Sequence, residues 1–296
     1  MSDDRHEEVR PDGGVVADVG VNPAWLPDIT LGRTGTIAKT EYRLAIRSHW
    51  ALGLTAVFAL FALGLTTFSG AEVAPAGYER TVASLASLAV YLLPLAALAF
   101  GYDANVGRED SGWLQALFAL PIGRFRVVMG IFLGRAVVLA GSIVIGFGVA
   151  GVLLLREFGV GGWPTYVRFT LAAVLAGWAF LALATLVSSV AREKTHAFGV
   201  VLAAWAWFVL VYDLLALGII AAFRLSDAVI SVLIIGNPAG LFRLLVLGGL
   251  ETGGSGGYGA AFAAAGVPTW LLVFMLLSWT VVPLVLAGIL ARRRSL

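Results

Sequence analysis

The chain has 296 residues, 59% of them hydrophobic and 13% charged, with a mean hydropathy of +0.92, values that exclude a soluble globular domain. Twenty basic against eighteen acidic residues leave a net charge of +2, with no basic–aromatic patch suited to nucleic acid. The absence of cysteine removes both a disulfide framework and thiolate metal ligation.

Residues 1–36 read as a polar tail punctuated by Gly and Pro. Up to Asp28 it holds seven acids against Arg5 and Arg10 and has no signal-peptide core, so a disordered cytosolic segment is expected. Residues 37–296 read as one transmembrane domain. It opens with an amphipathic helix over 37–49, in which Lys39, Arg43 and Arg47 recur every fourth residue. Ala38, Tyr42, Ala45, Ile46 and His49 fall on the other side, a pattern for lying on an anionic membrane surface. A plain juxtamembrane lead-in is the simpler alternative.

The stretches 48–71, 81–102, 136–155, 169–191 and 252–291 contain no Asp, Glu, Lys or Arg. A bilayer core about 30 Å thick is crossed by roughly 20 apolar helical residues. Six spans follow, at about 50–69, 82–102, 127–155, 168–190, 197–223 and 269–291. With the N-terminus inside, the inner side collects Lys39, Arg43, Arg47, Arg108, Arg124, Arg126, Arg192, Lys194, Arg292, Arg293 and Arg294. The outer side receives Arg80, Arg156, Arg168, Arg224 and Arg243, and eleven basic residues against five place both termini in the cytosol. The segment 228–247 is either a seventh span or two short extracytoplasmic helices. Gly236-Asn237-Pro238 and Arg243 favour the latter, folded against the outer face between spans five and six.

The inner segment 101–126, GYDANVGREDSGWLQALFALPIGRFR, carries a helix signature. Glu109, Asp110 and Ser111 suit a helix N-terminus, Trp113, Leu114, Leu117 and Phe118 share one face, and Pro121 ends the element. Such a helix either packs beneath its own bundle, floats at the interface or docks a partner.

The run GREDSGWLQALFALPIGRFRVVMGIFLGR resembles the signature of type-2 ABC exporter permeases, at Gly107, Glu109, Gly112, Leu114, Leu117, Pro121, Arg124, Gly130, Phe132, Leu133 and Gly134. The segments PLAALAFGYD, VYDLLALG and NPAGLFRLL are similar to the NosY-type permeases of nitrous-oxide-reductase copper-site maturation, and the likeness extends over about 38–292. Trp113 departs from the smaller residue common in the family. The resemblance implies a cytosolic coupling helix over 108–120, seated in a separate ABC ATPase that binds ATP and Mg. Its contact residues would be Gly107, Arg108, Glu109, Asp110, Gly112, Trp113, Leu114, Leu117, Phe118, Pro121 and Arg124. It also implies a homodimer in the cell membrane and an extracytoplasmic copper-maturation protein as a further partner. The chain itself has no P-loop: its only lysines are Lys39 and Lys194, preceded by Ala38 and Glu193 where the motif requires Gly. An enzyme activity and a bound cofactor are therefore not expected in this chain.

Asp213, beside Tyr212, is the only acid well within a span. It is read either as a proton or substrate station or as one end of a helix–helix hydrogen bond. Arg135, two turns beyond Arg126, reads as snorkelling to the inner headgroups. Met129, Met275 and His196 do not cluster into a soft-metal site, so packing is expected of them and no metal site is assigned. The competing function is a proton-coupled secondary transporter working through Asp213, although the sequence shows no internal repeat of the kind that class often carries.

Overall fold

The computed structural model describes residues 26–68, 75–106, 123–223, 226, 229, 232–233, 235–248 and 268–293. Among these residues the chain is helical throughout, without a strand. Six helices are long and apolar enough to cross a membrane, so the fold class is all-α with six candidate spans.

Helix α1 (Leu26–Arg47) precedes the first span, α2 (Trp50–Phe68); α3 (Pro75–Gly101), α4 (Arg124–Phe158) and α5 (Trp163–Val190) follow. The fifth span is composite: α6 (Lys194–Ala206), a π-helical turn (Trp207–Val211) and α7 (Tyr212–Ala222). A ten-residue helix, α8 (Pro238–Leu247), and the last span, α9 (Thr269–Arg293), complete the order.

Helix α1 begins at Leu26, within the segment read from sequence as a tail, while residues 1–25 lie outside the described residues. The hydrophobic spans end where charge appears, whereas the helices run on past the apolar boundary. Helix α4 reaches from Arg124 to Phe158 although its apolar stretch reads as 127–155. Backbone hydrogen bonding continues through the interface because nothing in Arg124–Arg126 or Arg156–Phe158 breaks a helix. Gly159, with φ of 71°, supplies the left-handed residue that ends α4, its N–H bonding the Leu155 carbonyl.

The core is built on α4 and α5. Helix α4 packs along α1, α2 and α5, and α5 along α3 and α9. Buried rings run through it: Phe58 to Phe147 at 5.4 Å, Phe147 to Phe169 at 5.0 Å, and Phe169 to Phe242 at 6.3 Å between centroids. Met129 and Met275 are half-buried against this core. The fifth span and α2 sit at the periphery, exposing Leu52, Leu60, Trp207, Leu214 and Leu215. In a bilayer such side chains meet acyl chains without cost.

Ten residues of α8 cover about 15 Å at 1.5 Å per residue, too short to cross. Rather than lying against a face, α8 is wedged among α3, α5 and α9, with every residue except Arg243 and Leu247 buried. The sequence reading missed this because an apolar helix reads the same whether it meets lipid or protein. Asn237 caps it, its Oδ1 accepting from the Ala239 N–H at 3.0 Å, and Pro238 fills the first helical position.

Candidate functional site

Two polar clusters interrupt the apolar bundle, one at the end that carries residues 107–122 and one within the spans. The first frames the chain on either side of residues 107–122. Ten of the residues expected to dock a partner, Gly107 through Pro121, lie outside the described residues; Arg124 is described. Around the gap, however, the frame is complete.

On the way in, α3 ends at Gly101, packed so tightly on α5 that a Cβ there would lie 2.6 Å from that of Ala184. The following turn is clamped to the end of α5. The backbone N–H groups of Asn105 and Val106 donate to the Ser188 hydroxyl at 2.9 and 3.1 Å, and the Asn105 amide donates to the Ser189 hydroxyl at 2.8 Å. Asn105, Ser188 and Ser189 are all buried, where an unmatched polar group would cost about 1–3 kcal/mol. On the way out, Arg124 donates to the Ala291 carbonyl at 3.4 Å near the end of α9, and the Phe125 ring fills the space above Gly288. A small separate apolar cluster of Ile37, Ala104, Val127 and Ile131 then joins α1, the turn and α4.

Arg135 ties the same elements electrostatically. Its Nε donates to Glu41 Oε1 of α1 at 2.9 Å, and its Nη1 donates to Asp103 Oδ1 at 2.8 Å and to the Phe100 carbonyl. The guanidinium also lies 5.4 Å from the centre of the Phe100 ring. Glu41 is 3% and Arg135 11% exposed, so the expected snorkelling gives way to an inward ion cluster. Two carboxylates and a carbonyl satisfy the guanidinium fork better than a reach to the headgroups. Helix α1 comes close enough because α4 carries Gly130 and Gly134 on that face. Cβ atoms there would lie 2.7 Å from Ile37 Cγ2 and 2.6 Å from the Ala38 carbonyl oxygen. The buried stripe of α1 is therefore Ile37, Glu41 and Ala45, while Tyr42 and Ile46 are exposed beside the basic stripe.

The second cluster lies around the π turn. Asp213 Oδ2 accepts from Arg243 of α8 at 2.7 Å, and Oδ1 accepts from the Asn237 amide at 3.0 Å. The same amide donates to the Phe208 carbonyl in the π turn at 2.9 Å. The Tyr212 hydroxyl donates to the Leu233 carbonyl at 2.7 Å, and the Trp279 indole to the Ile235 carbonyl at 2.9 Å. Of the two intramembrane candidates, Tyr212 thus holds the backbone at Leu233, before α8, and Asp213 holds α8 itself through Asn237 and Arg243. Arg243 and Asn237 were missed from sequence as their partners. The available signal was a lone cation in one apolar segment and a lone acid in another.

Neither cluster pairs a nucleophile with a base. Among the described residues no three His, Asp or Glu gather as metal ligands. What the first cluster offers is mechanical: five helices are fastened to the two ends of one short segment.

Six candidate spans and this framed segment make a multi-pass helical membrane protein. The model of the ABC-2 family transporter proteins matches residues 35–296, and the chain belongs to that family. It is similar to the probable ABC transporter permease protein NosY of Stutzerimonas stutzeri, 37% identical over 275 residues, covering 89% of this chain and 99% of the relative. The protein of the same name from Pseudomonas aeruginosa is 37% identical over 278 residues, covering 88% and 98%. The chain is a NosY-like ABC transporter permease subunit and a multi-pass membrane protein.

Proposed function

We propose that this permease converts ATP hydrolysis by a separate ATPase into movement of its bundle, in the service of copper-site maturation of nitrous-oxide reductase. The ATPase, holding ATP and Mg, seats on the coupling helix expected over 108–120. The observation that carries the reading is the frame: both ends of that segment are fastened by polar contacts, buried on the way in and part-buried on the way out, to α1, α3, α4, α5 and α9. A displacement of the segment is therefore passed to most of the spans at once. Membership of the ABC-2 family and 37% identity to NosY permeases over most of the chain support the ATPase partner and the maturation role. The missing P-loop supports hydrolysis in another chain.

The permease works as a homodimer in the cytoplasmic membrane, with both termini and residues 107–122 in the cytosol. Copper is cargo or the business of an extracytoplasmic partner.

The test is co-purification with the ABC ATPase encoded beside it. Glu109→Lys and Leu117→Asp are expected to reduce recovery of the ATPase at least tenfold, and to leave nitrous-oxide reductase without its full copper complement in cells. Undiminished association in both variants overturns the docking assignment. Normal copper loading with the permease deleted overturns the maturation role.

A further inference from the structure

Outside both clusters lies a groove of about 380 Å³ between α2 and α3, opening on the side of the bundle. Its walls are apolar, drawn from Trp50, Gly53 and Val57 of α2 and from Leu95 and Ala99 of α3. Polar groups occur at one end only, where Ser48 and His49 link α1 to α2. His49 adopts φ of 63°, a left-handed conformation rare outside glycine, and this bend turns the chain out of α1 at the groove mouth. Eight residues of each wall, 50–57 and 92–99, extend about 10 Å along the helix axes.

The helix that leads into the mouth, α1, exposes charge of one sign along its last three turns. Lys39, Arg43 and Arg47 are exposed on α1, and none forms an ion pair with a described residue. The one acid of α1 after Asp28, Glu41, is buried and held by Arg135. A file of cations above an apolar slot within the hydrocarbon has a matching amphiphile, with a negative head and a long tail.

We propose that the groove is a binding site for an anionic phospholipid, with one acyl chain between α2 and α3 and the phosphate at His49, Arg43 and Arg47. The Trp50 wall contacts Phe100 at 5.8 Å between ring centroids, and Phe100 in turn packs on Arg135. The lipid thus stands two aromatic rings, Trp50 and Phe100, from the ion cluster that fastens α1 to α4. This site depends on the membrane reading alone and is independent of ATPase docking.

The test uses the full-length permease in nanodiscs containing phosphatidylglycerol or phosphatidylcholine with a photoactivatable acyl chain. Labelling of 50–57 and 92–99 is expected to be at least fivefold stronger from phosphatidylglycerol. Arg43→Glu combined with Arg47→Glu should erase that preference. Gly53→Leu should abolish labelling at the site. A Cβ at Gly53 meets nothing within 4 Å, so the branch point of the new side chain is accommodated, and an unchanged melting temperature is the control that the fold is kept. Because the chain lacks cysteine, Leu95→Cys reports the rival occupant cleanly. Equal labelling by both lipids, labelling that survives Gly53→Leu, or disulfide crosslinking of Leu95→Cys between two copies overturns the proposal.

Discussion

Asp213 and Arg243 face each other across 2.7 Å with 13% and 21% of their side chains exposed, in a bundle otherwise almost free of ionised groups. Removing one partner of a buried pair leaves the other uncompensated, at a cost of about 3–5 kcal/mol, whereas removing both is often neutral. Arg243→Met is therefore expected to lower the thermal stability of the detergent-solubilised permease sharply. Asp213→Asn should cost less, since an amide still accepts from Asn237, and the double variant should recover most of the loss. Measured as a cycle, the coupling should exceed 1 kcal/mol. The same double variant separates transport mechanisms. Transport that survives it fits a structural pair, while proton coupling through Asp213 requires that activity disappear. Neither partner of this pair was legible as such in sequence. Each stood out as a lone charge, but nothing local joins residues 30 positions apart.

At the scale of elements, contact between α1 and α4 rests on two glycines. Gly134→Ala would bring a methyl group to 2.6 Å from the Ala38 carbonyl oxygen, a backbone atom that cannot move aside without shifting α1. The expected effect is a loss of about 1–3 kcal/mol, together with loss of coupling through Arg135, whose partner Glu41 lies on the displaced helix. Gly141→Ala and Gly148→Ala on the same helix meet nothing within 4 Å and should leave the melting temperature within about a degree of wild type. The elements themselves were largely readable, because a bilayer imposes length and apolarity on every span and charges mark where each one stops. Gly130 and Gly134 were visible as part of a family signature; their physical reason, a close helix crossing, required α1 to be placed. The burial of α8 and the inward turn of Arg135 also escaped the sequence. Hydropathy separates lipid-compatible from water-compatible residues and says nothing about whether an apolar face meets lipid or protein.

For the molecule as a whole, the six spans bring α1, the ends of α3 and α5 and the close of α9 to one end of the bundle. The end of α2 and the turn after α4 lie at the other. The excess of basic residues predicts that the first of these ends faces the cytosol. In cells, a membrane-impermeant maleimide is expected to label Gly161→Cys, in the exposed turn after α4, and to spare Arg192→Cys until the membrane is opened. Labelling in the reverse order would invert the topology. It would also put residues 107–122 out of reach of any cytosolic ATPase.

The Asp213–Arg243 pair also constrains how the protein is made. The acid emerges from the ribosome 30 residues before its counter-ion, an interval of about 2–6 s at ordinary elongation rates. Throughout that interval the newborn fifth helix carries a naked carboxylate, worth about 2.5–3.5 kcal/mol against residence in lipid. Nascent chains should therefore linger beside the insertion machinery until NPAGLFR arrives, making this stretch the checkpoint for membrane integration.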